Sequence, residues 1–391
     1  MTECLHDYDF VAPQKVAFGW GRLREVAALS KSMGRRAFLV QGSRRLAEQG
    51  VTARITEDLG RNGVSVVELA FARREPQVAD VDLATQFLRS HKVQPGDFVI
   101  ALGGGSSIDL AKAAAAMATN SGSVADYLEG VGAGRTLDCA PLPILAIPTT
   151  AGTGSEATKN AVISSESPPF KKSLRSEQLV PRVVLVDPEL TVSLPRELTI
   201  QTGMDAITQL IESYISRRAR PIPQALALQG LALALPAIRQ AASEPSSRPA
   251  REAMAHAALL SGMALANSGL GMAHGVAAAL GIHLDVPHGL ACAVMLPVAL
   301  RVNASAARPA IAELGRATLG EAGADEVAAE RFTEHVEQLC TDLTIPRNLR
   351  SLGVTPEKIP VLVASSRGNS MSGNPRELSD RELASILEQC L

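Results

Sequence analysis

The chain has 391 residues, more than one hydrophobic core usually organises, so two domains are expected, each with a substantial apolar interior. Its 38 basic and 40 acidic residues nearly cancel and no Lys/Arg-rich tract stands out. That balance excludes the usual electrostatic footprint of nucleic-acid or anionic-membrane binding and leaves small molecules as partners.

In chain order, the N-terminal MTECLHDYDFVAP carries acidic residues where a signal peptide has a basic and then an apolar segment. No uninterrupted apolar run reaches the ~18–20 residues of a membrane-spanning helix, so a cytoplasmic protein off the membrane is expected. Five cysteines (Cys4, Cys139, Cys292, Cys340, Cys390) without a CxxC pair argue against a disulfide framework and read as idle thiols. Short β-prone apolar runs follow: RAFLVQ (36–41), SVVELA (65–70), DFVIAL (97–102), PILAIP (143–148) and VVLVD (183–187). Helix-like segments separate them, which is the rhythm of a parallel sheet. One such segment, VADVDLATQFLRSHK (78–92), places Val78, Val81, Leu83, Ala84, Phe87 and Leu88 on one helical face. After Asp187–Pro188 the texture changes to Ala/Leu-rich helical stretches at 224–242, 251–266 and 323–343, with SEPSSRPA (243–250) as a loop between two of them.

Residues 97–118 read as a buried strand, a glycine turn GGGSSID and a helix. Gly103, Gly104 and Gly105 let backbone approach a pyrophosphate, and the free N–H groups that open the next helix point at it. Ser106 is expected to cap that helix, with Asp109 completing a capping box. The spacing is not GxGxxG, and glycine turns also occur for packing alone. A second loop, TTAGTGSEATKNAV (149–162), crowds Thr149, Thr150, Thr153 and Ser155 with two glycines, a composition suited to ribose, phosphate or amide groups. Two such loops after two strands of one sheet fit the rule that ligands sit at the carboxyl ends of the strands.

Farther on, GMDAITQLIESYIS (203–216) puts Asp205 and Gln209 four apart on one helical face, and GLGMAHGVAAALGIHLDVPHG (269–289) supplies His274, His283 and His288. Asp205, His274 and His288 offer the carboxylate and imidazoles that a divalent metal requires. Hydrogen-bonded core histidines and a helix-capping Asp fit the same pattern.

Together GGGSSIDLAK, PTTAGTGSE, GMDAITQLIESY, GLGMAHG…PHG and the late GNPR (373–376), in that order, resemble the iron-containing, group III alcohol dehydrogenase family over nearly the whole chain. The early VAPQKVAFGWGRL (11–23) resembles its N-terminal P…FGxG. The resemblance implies an α/β N-terminal dinucleotide-binding domain with a parallel sheet over residues 1–188 and an all-helical metal and substrate domain over 189–391. It further implies an active site in the cleft between them, and a homo-oligomer, dimer or larger. This two-domain plan is shared with dehydroquinate synthase.

The family's metal is held by an Asp, a His four residues later and two histidines fourteen apart; Asp205, His274 and His288 match three of these, and Gln209 stands where the fourth belongs. An amide oxygen is a weaker donor than imidazole, which disfavours ferrous iron more than zinc. Zinc-dependent glycerol dehydrogenases, a related branch, use one Asp and two His. Asp205, Gln209, His274 and His288 are thus the expected positions around iron or zinc. Ala278 stands where a second family histidine delivers a proton, leaving His283 or solvent. Leu265 replaces a common phenylalanine beside the substrate, Ser370 falls where some relatives have Cys, and Arg367 in a donor-rich stretch suits an anionic or oxygenated substrate. Many NAD-dependent relatives have Asp where Gly42 stands; with Ser43, Arg44 and Arg45 beside it, NADP(H) is favoured over NAD(H).

The implied reaction is hydride transfer between NAD(P) and a metal-polarised carbonyl of a small aldehyde or its alcohol. Gly103, Gly104, Gly105, Ser106 and Asp109 serve the pyrophosphate end; Thr149, Thr150, Thr153 and Lys171 serve the ribose and nicotinamide end; Asn160 orients the substrate oxygen. Two rivals are a metal-independent reductase resembling maleylacetate reductase, which Gln209 favours, and a dehydroquinate synthase-like lyase.

Overall fold

In the computed structural model, which describes residues 7–42, 44–72 and 74–391, the chain divides into two units. One comprises Val11–Thr150 and Gly154–Ser193. The other comprises Leu194–Leu391, with Ala151–Thr153 and the N-terminal stretch ending at Phe10.

The first unit is built on β1 (Lys15–Phe18), β2 (Arg36–Gln41), β3 (Ser65–Phe71), β4 (Asp97–Gly103), β5 (Ile144–Pro148), the antiparallel pair β6 (Asn160–Glu166) and β7 (Pro169–Arg175), and β8 (Val183–Val186). Six of these make one parallel sheet in the order β1-β8-β5-β4-β2-β3, while β6 and β7 form a separate two-stranded ribbon. Its helices are α1 (Val26–Ser30), α2 (Arg44–Glu48), α3 (Val51–Arg61), α4 (Val78–Ser90) and α5 (Gly105–Thr119).

Because side chains alternate along a strand, β2 and β4 feed two cores. Phe38, Val40, Val99 and Ala101 pack with α4 and α5, while Leu39, Phe98, Ile100 and Leu102 pack with α1 and α3. Helices on both faces explain why the strands read as continuous apolar runs. On α4 the buried positions are Val81, Ala84, Thr85 and Leu88. Leu83, expected on that face, is 66% exposed, because it sits about 100° round the helix from Ala84.

The second unit is helical: α6 (Arg196–Ile215), α7 (Pro221–Ser243), α8 (Arg248–Ser268), α9 (Met272–Leu284), α10 (His288–Asn303), α11 (Arg308–Leu319), α12 (Asp325–Asp342), α13 (Ile359–Ser365) and α14 (Asp380–Gln389). Every residue of α6 from Gly203 to Ile215 is buried, so this helix is the axis around which α7, α8 and α10 pack. Glycines permit the closest approaches: a Cβ on Gly230 would lie 2.6 Å from Leu210, and one on Gly289 would lie 2.2 Å from the Gln201 carbonyl oxygen. By length and composition α7 is apolar enough to cross a membrane. It packs instead against α6, α8 and α11, and it carries Gln224, Gln229 and Arg239.

Candidate metal centre and coenzyme turn

Asp205 on α6, His274 on α9, and His288 with Cys292 on α10 bring one donor atom each to a single point, all within 4.8 Å of one another. His274 Nε2 lies 3.2 Å and His288 Nε2 3.8 Å from Asp205 Oδ1, and Cys292 Sγ lies 3.7 Å from His288 Nε2. Three of the four are buried. The two imidazoles are inclined at 59° with their centroids 5.6 Å apart, so their nitrogens converge without stacking. Gly289 allows α10 to lie against α6, which keeps His288 within reach of Asp205.

Glu212, two turns along α6 from Asp205, anchors the group. Its Oε2 is 2.7 Å from His274 Nδ1 and accepts from the Gly271 amide at 3.0 Å, while its Oε1 accepts from the Ala273 amide at 2.7 Å. These amides open α9, where no side chain of the cap residue Gly271 is available. A carboxylate on Nδ1 holds the other nitrogen, Nε2, aimed at Asp205. Burial works to raise the Asp205 carboxyl, but the His274 hydrogen bond and the nearby imidazoles outweigh it and hold the group below the usual range. Burial also works to lower His274; the surrounding Cys292, Asp205 and Glu212 win and raise it well above its ordinary value. Burial pushes the Cys292 thiol up to about 11.

One carboxylate, two imidazoles and a thiol around one buried point are a donor set suited to a divalent transition ion. Gln209 lies on the same face of α6, but its Oε1 accepts from Ser261 Oγ at 2.7 Å and its Nε2 donates to the Thr153 carbonyl at 3.3 Å. Sequence reasoning missed both Glu212 and Cys292. The signal was present: Glu212 is seven residues after Asp205 and Cys292 four after His288, each on the face of its donor helix.

In the first unit, Gly103 ends β4 at φ +156°, and α5 begins at Gly105 with Gly104 as its cap residue. No side chain caps this helix, so the expected capping box of Ser106 and Asp109 does not form. Asp109 is buried one turn in and accepts from the Val162 amide at 3.1 Å, because β6 passes beside it. The uncapped first turn fits an anion. A Cβ on Gly42 would lie 2.0 Å from Ser107 Oγ, and one on Gly103 2.3 Å from the same atom, so these glycines permit a tight crossing of β2 and β4 ends. Ser43 lies outside the described residues. The Thr149 amide donates to the Gly103 carbonyl at 3.0 Å, and Thr150 lines Gly104.

Other expected residues already have partners. Lys171 on β7 pairs with Glu75 at 2.5 Å, and Asn160 Oδ1 accepts from Arg175 at 2.5 Å. Arg367 pairs with Asp380 at 2.6 Å, and His283 Nε2 is 2.7 Å from Ser365 Oγ. Leu265 is half-buried near the end of α8, and Ser370 precedes the short turn Met371–Gly373. Next to the glycine turn, Lys112 is fully buried, and its ammonium donates to the Thr158 carbonyl and hydroxyl and to the Asn160 carbonyl at 2.7–2.9 Å.

Comparison with known proteins bears on both regions. Residues 13–188 match the family described as iron-containing alcohol dehydrogenase, and residues 199–391 match the C-terminal part of the Fe-containing alcohol dehydrogenase family. Long-chain-alcohol dehydrogenase 1 of Geobacillus thermodenitrificans is 34% identical over 382 residues, covering 97% of this chain and 95% of that protein. A 1,3-propanediol oxidoreductase structure superposes with a TM-score of 0.92 at 32% identity, covering 99% of this chain and 100% of the other. The sulfoacetaldehyde reductase of Bifidobacterium kashiwanohense, solved in complex with NAD+, gives 0.87 at 30% identity, covering 98% of this chain and 99% of the other.

Proposed function

Because this chain belongs to the iron-containing alcohol dehydrogenase family and is an oxidoreductase acting on CH–OH groups, we propose that it interconverts a small, polar alcohol and its aldehyde, with NADP(H) preferred over NAD(H). The observation that carries this reading is the convergence of Asp205, His274 and His288 from three helices on one point. Asp205, His274 and His288 would hold a divalent ion, which would supply Lewis-acid polarisation of a substrate oxygen, and a bound nicotinamide would supply the hydride.

The protein's own groups do the positioning. With Glu212 accepting at His274 Nδ1, Nε2 is the nitrogen that would give its lone pair to a bound ion, releasing to solvent the proton it otherwise directs at Asp205. The bare turn Gly103–Gly105 and the first amides of α5 receive the pyrophosphate, and Thr149 and Thr150 flank it. Gly42 places no carboxylate against a 2′-phosphate, which supports the preference for NADP(H). With Ala278 offering no acid and His283 held by Ser365, the proton that completes alcohol formation comes from solvent.

Substituting His288 by Ala is expected to abolish turnover of an aldehyde panel while NADPH still binds. Full activity in that variant overturns the reading. Activity that survives exhaustive chelation selects the metal-independent reductase instead. Nucleotide that is not consumed in the steady state selects the lyase.

A further inference from the structure

Cys292 is not among the ligand positions that the family resemblance implies. Its side chain is wholly buried on α10, one turn beyond His288, and its sulfur belongs to the same 4.8 Å donor group as Asp205, His274 and His288. Position 209, where the family resemblance leads one to expect an imidazole, holds a glutamine whose amide oxygen is committed to Ser261 and whose amide nitrogen is committed to Thr153. A buried cysteine is ordinarily a small core hydrophobe, as Cys340 is: that sulfur lies 3.8 Å from the Ala293 carbonyl, and no donor group among the described residues includes it. Cys292 differs in having a carboxylate and two imidazoles as neighbours.

We propose that Cys292 is a metal ligand of this chain, its sulfur taking the coordination place that Gln209 gives up, and that the site therefore holds zinc more firmly than ferrous iron. The inference rests on the reading that Asp205, His274 and His288 hold a divalent ion. A carboxylate, two imidazoles and a thiolate make a four-donor N/O/S set that zinc accepts, zinc can expand to five-coordinate so a substrate oxygen can still reach it, and thiolate softness favours zinc over harder ions. On binding, the sulfur–metal bond forms as the thiol proton leaves to solvent, and no electron is transferred. Two anionic donors then balance the charge of the ion. Glu212 is balanced separately by the α9 amides it accepts from.

The test is to strip the full-length protein with chelator and reload it with cobalt(II), read by electronic absorption. The unmodified protein should show a near-ultraviolet thiolate-to-cobalt charge-transfer band. Cys292→Ala should lose it, while Cys340→Ala and Gln209→Ala should keep it. Zinc retention against a competing chelator should fall at least about tenfold in Cys292→Ala, since even removing a partner of a ligand costs that much. Zinc-edge X-ray absorption on the unmodified protein asks the same question without a substitution: one sulfur neighbour at about 2.3 Å is expected. Cobalt bound without the band, a band that survives in Cys292→Ala, or a zinc shell without sulfur overturns the ligand assignment and leaves the ion at the other three residues standing. A protein that takes up neither ion overturns both.

Discussion

Glu212→Gln isolates the carboxylate that fastens α9 to α6. In its least harmful pose the new amide keeps its oxygen toward Gly271 and His274 Nδ1 and turns its NH2 toward the Ala273 amide, whose 2.7 Å bond becomes a meeting of two donors. A buried N–H left without an acceptor costs about 1–3 kcal/mol. Losing a negative charge at a helix N-terminus costs up to about 1 kcal/mol more. Removing one buried charge returns part of this, so a net loss of about 2–3 kcal/mol is expected. In a unit of this size that lowers the melting temperature by roughly 5–10 °C. The assay is thermal unfolding of the chelator-treated protein, with zinc affinity as a second readout expected to fall about 10–100-fold. A melting temperature that does not move refutes the anchoring role, because three short bonds to a buried carboxylate cannot be traded for an amide without cost.

Gly289→Ala drives a methyl to 2.2 Å from the Gln201 carbonyl; overpacking of this kind costs about 1–3 kcal/mol, and turnover should fall because His288 is its neighbour, whereas unchanged kinetics would show that α10 shifts freely. Gly42→Asp, made together with Ser107→Ala to relieve the 2.0 Å contact, should move the kcat/KM ratio for NADPH over NADH downward by at least about tenfold; an unmoved ratio removes Gly42 from coenzyme choice. Burial raises Asp109 to about 6 and Glu156 to about 7, so native protein still binds protons that the unfolded chain has released. That contribution is full below the ordinary carboxyl range and disappears as pH climbs through about 7, so urea midpoints should fall over this interval and Glu156→Gln should flatten the fall. A midpoint that rises steadily from pH 5 to 7 contradicts the two carboxyl assignments; Lys112, lowered by burial to about 8, reverses the slope above that pH, and a midpoint that keeps falling there contradicts its assignment.

The sheet was readable because strands covered on both faces must be apolar along their whole length, as RAFLVQ and DFVIAL are. The helical half was readable from Ala/Leu spacing, with α7 and α8 ending within a few residues of the expected bounds. The ribbon β6–β7 was not, because NAVISSE and PFKKSLR are half-exposed and rich in hydroxyls and lysines, so they look like loop. Asn160 and Lys171 took their ligand roles from the family resemblance, and the partners the fold gives them, Arg175 and Glu75, were not legible in the sequence. The same limit applies to Asp109: its Val162 partner comes from β6, more than fifty residues on. At the donor cluster, residue types at helical spacing revealed Asp205, His274 and His288. Cys292 was passed over because a scattered cysteine looks inert until an imidazole is seen beside it.

The amino end of α9 has a second fastening. Asn374 Oδ1 accepts from the Met272 amide at 3.1 Å, and the Asn374 side chain trades two 2.9 Å bonds with Asn303. Asn374 thus latches, from 102 residues further along the chain, the turn that presents His274. Loop closure over that span must come before the latch forms, so the placement of the imidazole is a late, long-range product of folding in the helical unit and not a property of α9 alone.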